Sequence, residues 1–65
     1  MTYTIKLQNK PNFWIITEDI DKALDIMYRL QVEHPNLEIE RQSYGDDGDL
    51  QTETTFMNGR LVYDN

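Results

Sequence analysis

The sequence contains no cysteine, a single histidine (His34) and a single serine (Ser43). The lack of cysteine excludes disulfide bonds and thiolate metal sites. One histidine is too few for most zinc sites, and a Ser–His–Asp triad would have to use the only serine and the only histidine. A chain of 65 residues also buries only about 60% of the surface that it exposes when unfolded, so its core is small. We expect one domain, residues 1–65, without a metal or a cofactor.

Basic residues are few and scattered along the chain. Six Lys and Arg stand against twelve Asp and Glu, which gives a formal net charge of −6. Proteins that bind nucleic acids or anionic membranes cluster their cations, so the composition disfavours both. The longest apolar run covers only residues 13–16, and the N-terminus lacks the basic start and apolar stretch of a signal peptide. We therefore expect a cytoplasmic protein that does not contact membranes.

The N-terminal part of the chain predicts a β-hairpin. Tyr3, Ile5 and Leu7 alternate with polar residues, which is the period of a half-buried strand. Residues 8–12 are rich in turn formers, and residues 13–16 form a short apolar run that suits a second strand.

The middle of the chain predicts the only helix, near residues 19–34. Thr17 is a suitable N-cap, and acidic residues follow it where the helix dipole favours negative charge. Pro35 ends the helix, and His34 caps its C-terminus. The apolar stripe consists of Ile20, Ala23, Leu24, Met27 and Leu30. We expect Ile20, Leu24 and Met27 to pack on Ile5, Leu7, Ile39 and Phe56.

The C-terminal half predicts three more strands, at residues 37–44, 50–57 and 60–64, joined by turns at 45–48 and at Asn58-Gly59. The order ββαβββ indicates an α+β fold. We expect a mixed or antiparallel five-stranded sheet with one helix packed on one face. A β-grasp-like roll is one member of this class.

The predicted register of the last three strands brings acidic residues of different strands together. A two-residue type I′ turn at Asn58-Gly59 would pair Phe56 with Leu61. Further along, it would pair Thr54 with Tyr63 and Glu53 with Asp64. Pairing Leu37 with Phe56 and Ile39 with Thr54 would then place Glu40 beside Glu53. The result is a row of carboxylates on the outer face of the sheet, namely Glu40, Glu53 and Asp64.

Three interpretations of this carboxylate row remain open. The charges are screened or compensated by Lys6 or Arg60, or they face a cationic partner, or they hold a hard divalent cation. Three further acids in the 45–49 turn lie near the same sheet end, namely Asp46, Asp47 and Asp49. Their spacing fails the EF-hand pattern.

Apolar residues also point to the outer face. Trp14 and Ile16 alternate away from their neighbours in the second strand. With Tyr44, Met57 and Val62 they would form one apolar patch if all five share a face. Such a patch marks an interface anchored by Trp14 and Tyr44, unless the chain itself buries it.

These features favour a binding protein over an enzyme. There is no nucleotide-binding glycine loop and no nucleophile beside a base, and we expect no pocket of about 300 Å³. Acidic, cysteine-free, single-domain chains of this size resemble phage-encoded antagonists of host defence, among them DNA mimics and anti-CRISPR proteins. This resemblance is one of size and charge. It implies a non-catalytic inhibitor or regulator whose carboxylates occupy the basic surface of a partner, such as a nucleic-acid-binding protein.

The alternative is a homodimeric structural or regulatory module without nucleic-acid mimicry. It would pair through an edge strand or through the Trp14 face, and its acidity would serve solubility only.

Overall fold

The computed structural model describes residues 1–64 and has one antiparallel sheet covered on one side by one helix. The elements are β1 (Thr2–Leu7), β2 (Trp14–Thr17), α1 (Ile20–Glu33), β3 (Ile39–Tyr44), β4 (Leu50–Met57) and β5 (Arg60–Asp64). The strand order is β2-β1-β3-β4-β5, and every neighbouring pair is antiparallel. The predicted α+β fold is confirmed. Within residues 1–64, no helix has the length and apolar character needed to cross a bilayer.

The helix begins two residues later than a Thr17 cap requires. Asp19 is the N-cap, and its carboxylate accepts the backbone N–H groups of Asp21 at 3.0 Å and Lys22 at 3.4 Å. Thr17 instead ends β2 and accepts the Asp19 N–H at 3.2 Å. At the other end the predicted cap is confirmed, because the His34 N–H bonds the Leu30 carbonyl at 2.8 Å.

The core lies between α1 and the first three strands in the sheet order. Its buried residues are Ile5, Leu7 and Ile39 from the sheet and Ala23, Met27 and Leu30 from the helix, with Phe56 partly buried against them. The predicted packing of Ile20 and Leu24 is wrong, since they are 37% and 47% exposed. The helix packs over β1, β2 and β3. The flank that carries Leu24 therefore has no sheet beneath it.

In the β4–β5 hairpin, the predicted turn is confirmed, but only part of the predicted register is. Asn58 and Gly59 have φ of +50° and +75°, as a type I′ turn requires. Phe56 pairs with Leu61, as predicted, and Met57 pairs with Arg60. A bulge then leaves one residue of β5 without a partner. The partners beyond it shift by one position, so that Thr55 pairs with Tyr63 and Thr54 with Asp64.

The register between β3 and β4 also differs from the predicted one. Ile39 pairs with Phe56 rather than with Thr54. The reason lies at the β3–β4 turn, where five residues, 45–49, rather than four separate Tyr44 from its partner Leu50, and a bulge between Ser43 and Tyr44 shifts the pairing by one more position. The register therefore moves by two residues, and Leu37 does not pair with Phe56.

Candidate functional site

The predicted carboxylate row of Glu40, Glu53 and Asp64 is not formed. On the outer face Glu40 lies between Lys6 and Thr55, and Glu53 lies opposite Gln42. Asp64 pairs with Thr54 on the side that α1 covers, and the Thr54 hydroxyl donates to Asp64 Oδ1 at 3.4 Å. The two register shifts described above separate the three carboxylates.

The topology instead gathers a different set of acids at one end of the sheet. By the register, β2 and β3 end where β1 and β4 begin, and α1 begins directly after β2. The last strand does not reach this end, because its final residue, Asp64, pairs with Thr54 near the middle of β4. The turn between β3 and β4 lies at the same end. We call the six carboxylates at this end the acidic pole: Glu18, Asp19, Asp21, Asp46, Asp47 and Asp49.

Local structure holds the acidic pole in place while leaving its side chains exposed. Asp19 is fixed as the helix cap. In the turn, Asp47 Oδ1 accepts the Asp49 N–H at 3.1 Å, and Gly48 supplies a φ of +86°. The amino group of Met1 lies 3.4 Å from Asp46 Oδ1. Acids at a helix N-terminus and in Asp-Gly turns are locally favourable, so each segment tolerates its own charges.

The acidic pole carries most of the net charge of the chain. Among residues 1–64, Lys22 is the one Lys or Arg beside it, so its side chains sum to −6 + 1 = −5 of the formal net charge of −6. The six remaining acids are nearly balanced by five bases: Asp25, Glu33, Glu38, Glu40, Glu53 and Asp64 against Lys6, Lys10, Arg29, Arg41 and Arg60. The molecule therefore has one strongly negative end and a body with a net charge of only −1.

The predicted apolar patch is divided. Trp14 and Ile16 lie on the outer face of β2 and are 58% and 60% exposed, so the chain does not bury them. Lys6 and Thr4 of β1 lie opposite them and separate them from the apolar residues of β3 and β4. Tyr44 is on the same face at the acidic end, where its hydroxyl donates to Gln42 at 3.0 Å. Met57 is near the opposite end, and Val62 lies at the bulge of β5.

Three hollows of about 260, 300 and 330 Å³ indent the surface. The expectation of no pocket near 300 Å³ is wrong, because one hollow lies between α1 and the Asn58-Gly59 turn and another lies at the turn before β2. None of the three is lined by the acidic pole. Among residues 1–64, no three acidic or histidine side chains are grouped to hold a metal ion. The acidic pole is thus an exposed charged surface rather than a cavity.

The sequence predicted three members of the acidic pole, Asp46, Asp47 and Asp49, but not Glu18, Asp19 and Asp21. The predicted binding residue Asp64 lies instead near the middle of the sheet, opposite Thr54. The direction of the chain is the signal that could have found the three missed acids. Because β1 and β2 form an antiparallel hairpin, α1 begins at the end of the sheet where β1 begins. Of the other predicted binding residues, Tyr44 lies at this end and Glu53 in its half of the sheet. Glu40 and Trp14 lie toward the opposite end.

No family model matches the chain, and no curated protein and no solved structure shows significant similarity to it.

Proposed function

We propose that the protein is a small non-catalytic inhibitor or regulator that binds a basic, nucleic-acid-binding surface of another protein through its acidic pole. The observation that carries the proposal is the concentration of −5 of the net charge of −6 at one end. A concentrated field of this kind raises the association rate with an oppositely charged surface and disfavours acidic partners.

The charge density of the pole supports nucleic-acid mimicry. Four strands at a spacing of about 4.8 Å make this sheet end about 14 Å wide. One DNA strand carries a charge every 3.4 Å or so, hence about four phosphates over that width. The net charge of the pole, −5, is of similar size over the same length. The chain would then act as the phage-encoded DNA mimics and anti-CRISPR proteins that it resembles in size and charge.

The exposure of the pole also supports a binding role. Apart from the helix cap at Asp19 and the turn bond at Asp47, its carboxylates make few contacts within the fold. Exposed like charges at close range lower stability. A partner that supplies Arg and Lys would relieve this repulsion, so binding and repulsion involve the same side chains.

The test compares two variants with the same change in charge. One carries Asp46→Asn, Asp47→Asn and Asp49→Asn in the pole, and the other carries Glu33→Gln, Glu38→Gln and Glu40→Gln at the opposite end. Each has a net charge of −6 + 3 = −3. The wild type and both variants are immobilised, exposed to a bacterial lysate at low salt, and eluted with rising salt or with duplex DNA.

We expect the wild type and the Glu variant to retain the same basic proteins, which are released by salt and by DNA. The Asp variant should lose them. Equal retention by the two variants would contradict a role for the pole, and retention that duplex DNA does not reverse would contradict nucleic-acid mimicry.

A further inference from the structure

The sheet has two edge strands, and one of them is protected against pairing with another chain. The order β2-β1-β3-β4-β5 places β2 and β5 at the edges. In β5 a bulge interrupts the ladder, and Arg60 and Asp64 place a charge at each end of the strand. Bulges and charged residues are features by which natural edge strands avoid pairing. The edge formed by β5 is thus protected.

The edge formed by β2 has neither feature. Residues 13–17 include no charged residue and no proline, and the ladder between β1 and β2 has no register shift. Among residues 1–64, the backbone of residues 14–17 pairs only with β1, so its outward N–H and C=O groups are free. Trp14 and Ile16 are 58% and 60% exposed beside them. An extended strand can therefore add to β2 through backbone hydrogen bonds.

The side chains of β2 are complementary to a second copy of the same strand. When two copies pair antiparallel about Ile15, Trp14 of each copy lies directly opposite Ile16 of the other. Both residues lie on the outer face, so the two pairs form one apolar cluster there. Ile15 lies opposite its own counterpart on the side that α1 covers. Opposed aromatic and β-branched side chains stabilise antiparallel pairs.

The charges at the two ends of β2 fit the same antiparallel pairing. Lys10 lies where β2 begins, in a turn in which the Phe13 N–H donates to the Lys10 carbonyl at 3.0 Å. Glu18 directly follows the end of β2. With Phe13 opposite Thr17 of the other copy, Lys10 of each copy lies beside Glu18 of the other. A parallel pair would instead set Glu18 beside Glu18, so the charges select the antiparallel arrangement.

We propose that a second copy of the chain pairs with the free edge of β2, so that the two sheets form one continuous sheet. The two-fold axis is perpendicular to the sheet and passes between the two copies of Ile15, so each copy presents the same patch. Because the strands are antiparallel, the two acidic poles lie at opposite ends of the dimer.

The two helices have room in this arrangement. Both copies of α1 lie on the same face, and each packs over β1, β2 and β3. Each helix is thus centred over β1, and three strand spacings put the two helices about 14 Å apart. Packed helices need only about 8–10 Å. The inference does not rest on the proposed function, since the 45–49 turn between β3 and β4 lies away from the interface.

Sedimentation equilibrium of two variants with the same charge tests the interface. Ile16→Glu places a carboxylate opposite Trp14 of the other copy. Val62→Glu places one in the other edge strand, at a residue that is 48% exposed. Each variant has a net charge of −6 − 1 = −7. We expect the wild type and Val62→Glu to reach twice the 7.8 kDa of the chain, and Ile16→Glu to have a dimer dissociation constant at least tenfold higher.

Charge reversal tests the antiparallel arrangement. Glu18→Lys should raise the dissociation constant about fivefold, although it lowers the net charge to −6 + 2 = −4, because it places a second base beside Lys10 of the other copy. Adding Lys10→Glu to the same chain should restore the wild-type constant, because opposite charges then face each other again. A double variant no tighter than Glu18→Lys alone would contradict the arrangement.

A wild-type chain that stays monomeric at about 1 mM would overturn the inference, since even a weak specific dimer forms at that concentration. So would equal association of Ile16→Glu and Val62→Glu. Amide hydrogen exchange gives a readout without substitutions: exchange at residues 14–17 should slow as the concentration rises, while exchange in β5 should not. Circular dichroism checks that each variant is folded, and Trp14→Glu replaces Ile16→Glu if the latter is not.

The dimer and the proposed function fail separately. The variant with Asp46→Asn, Asp47→Asn and Asp49→Asn should still form the dimer while it loses the captured basic proteins. Ile16→Glu should lose the dimer and still capture them. Loss of both properties in Ile16→Glu would contradict an interface at β2 that is independent of the pole.

Discussion

Arg41 combines a charge with a half-buried position on the side of the sheet that faces α1. It pairs with Ile5 on one side and Thr54 on the other, and its Nε is buried without a hydrogen-bond partner among residues 1–64. The neighbouring Ser43 is more deeply buried, but its hydroxyl is bonded to that of Thr52. A buried donor without an acceptor costs about 1–3 kcal/mol, whereas a bonded hydroxyl pair does not. Arg41 is thus a local weakness in the fold.

Replacing Arg41 by Met keeps the aliphatic stem and removes the unbonded donor. We expect Arg41→Met to raise the free energy of unfolding by about 1 kcal/mol in urea denaturation. The control is Arg29→Met, which removes an exposed ion pair with Asp25 at 3.2 Å and should change stability by less than about 0.5 kcal/mol. A large loss of stability in Arg41→Met would show that the guanidinium is bonded in solution.

Two helix residues that look equivalent in the sequence should differ in their contribution to stability. Met27 is 3% exposed and Leu24 is 47% exposed. Met27→Ala should cost about 2–5 kcal/mol, because it leaves a cavity in a core of few residues. Leu24→Ala should cost less than about 1.5 kcal/mol in the monomer, since half of the side chain is already in water. Thermal melting of both variants at low concentration compares them, and equal losses would show that the helix is rotated toward Leu24.

At the scale of elements, the β4–β5 hairpin is the part of the fold with the least tertiary support. All of β5 is exposed, because α1 packs over β1, β2 and β3. Its formation therefore depends on cross-strand bonds and on the Asn58-Gly59 turn. The bulge opposite Thr55 also twists β5 away from regular pairing, which protects an exposed edge strand from other chains.

Gly59→Val tests how far the hairpin depends on its turn. The φ of Gly59 is +75° and the nearest atom to an added Cβ is 3.7 Å away. The cost therefore comes from backbone strain, which is about 1–3 kcal/mol for a residue forced into this region. We expect lower stability and weaker NMR contacts between Phe56 and Leu61. Asn58→Gly, which accepts the φ of +50° at that position, is the control, and unchanged contacts in Gly59→Val would contradict the turn assignment.

At the scale of the whole molecule, we expect the charges of the acidic pole to lower the stability of the fold while they favour the binding of a partner. The carboxylates of the acidic pole repel one another, while the rest of the chain has nearly balanced charges. Removing charge from the pole should therefore stabilise the fold, and removing acids from the nearly balanced body should not. The same substitutions that weaken partner binding at the pole are expected to raise stability.

Thermal melting of the two triple variants at low and high salt measures this difference. The Asp46→Asn, Asp47→Asn, Asp49→Asn variant should melt at a higher temperature than the wild type at low salt, and the gain should disappear at high salt. The Glu33→Gln, Glu38→Gln, Glu40→Gln variant should show no gain, since it leaves the body with excess positive charge. A lower melting temperature for the Asp variant would mean that these carboxylates stabilise the turn.

The sequence alone determined the elements and their order, because these depend on local signals. Alternation over residues 2–8, the apolar spacing of α1 and the Asn58-Gly59 turn each act within a few residues, and all three are confirmed. The exact registers were not predictable in the same way. The bulges opposite Thr55 and between Ser43 and Tyr44 arise from pairing with a neighbouring strand, which the periodicity of a single strand does not contain.

Only the tertiary structure decided which residues work together. The apolar residues of α1 cover a wide arc, and the position of the helix over β1, β2 and β3 selected Met27 for the core and left Leu24 exposed. The acidic pole likewise joins Asp19 and Asp47, which lie far apart in the chain. Charge is counted in the sequence, but its field depends on where antiparallel strands and the helix begin and end, and that is a property of the folded molecule.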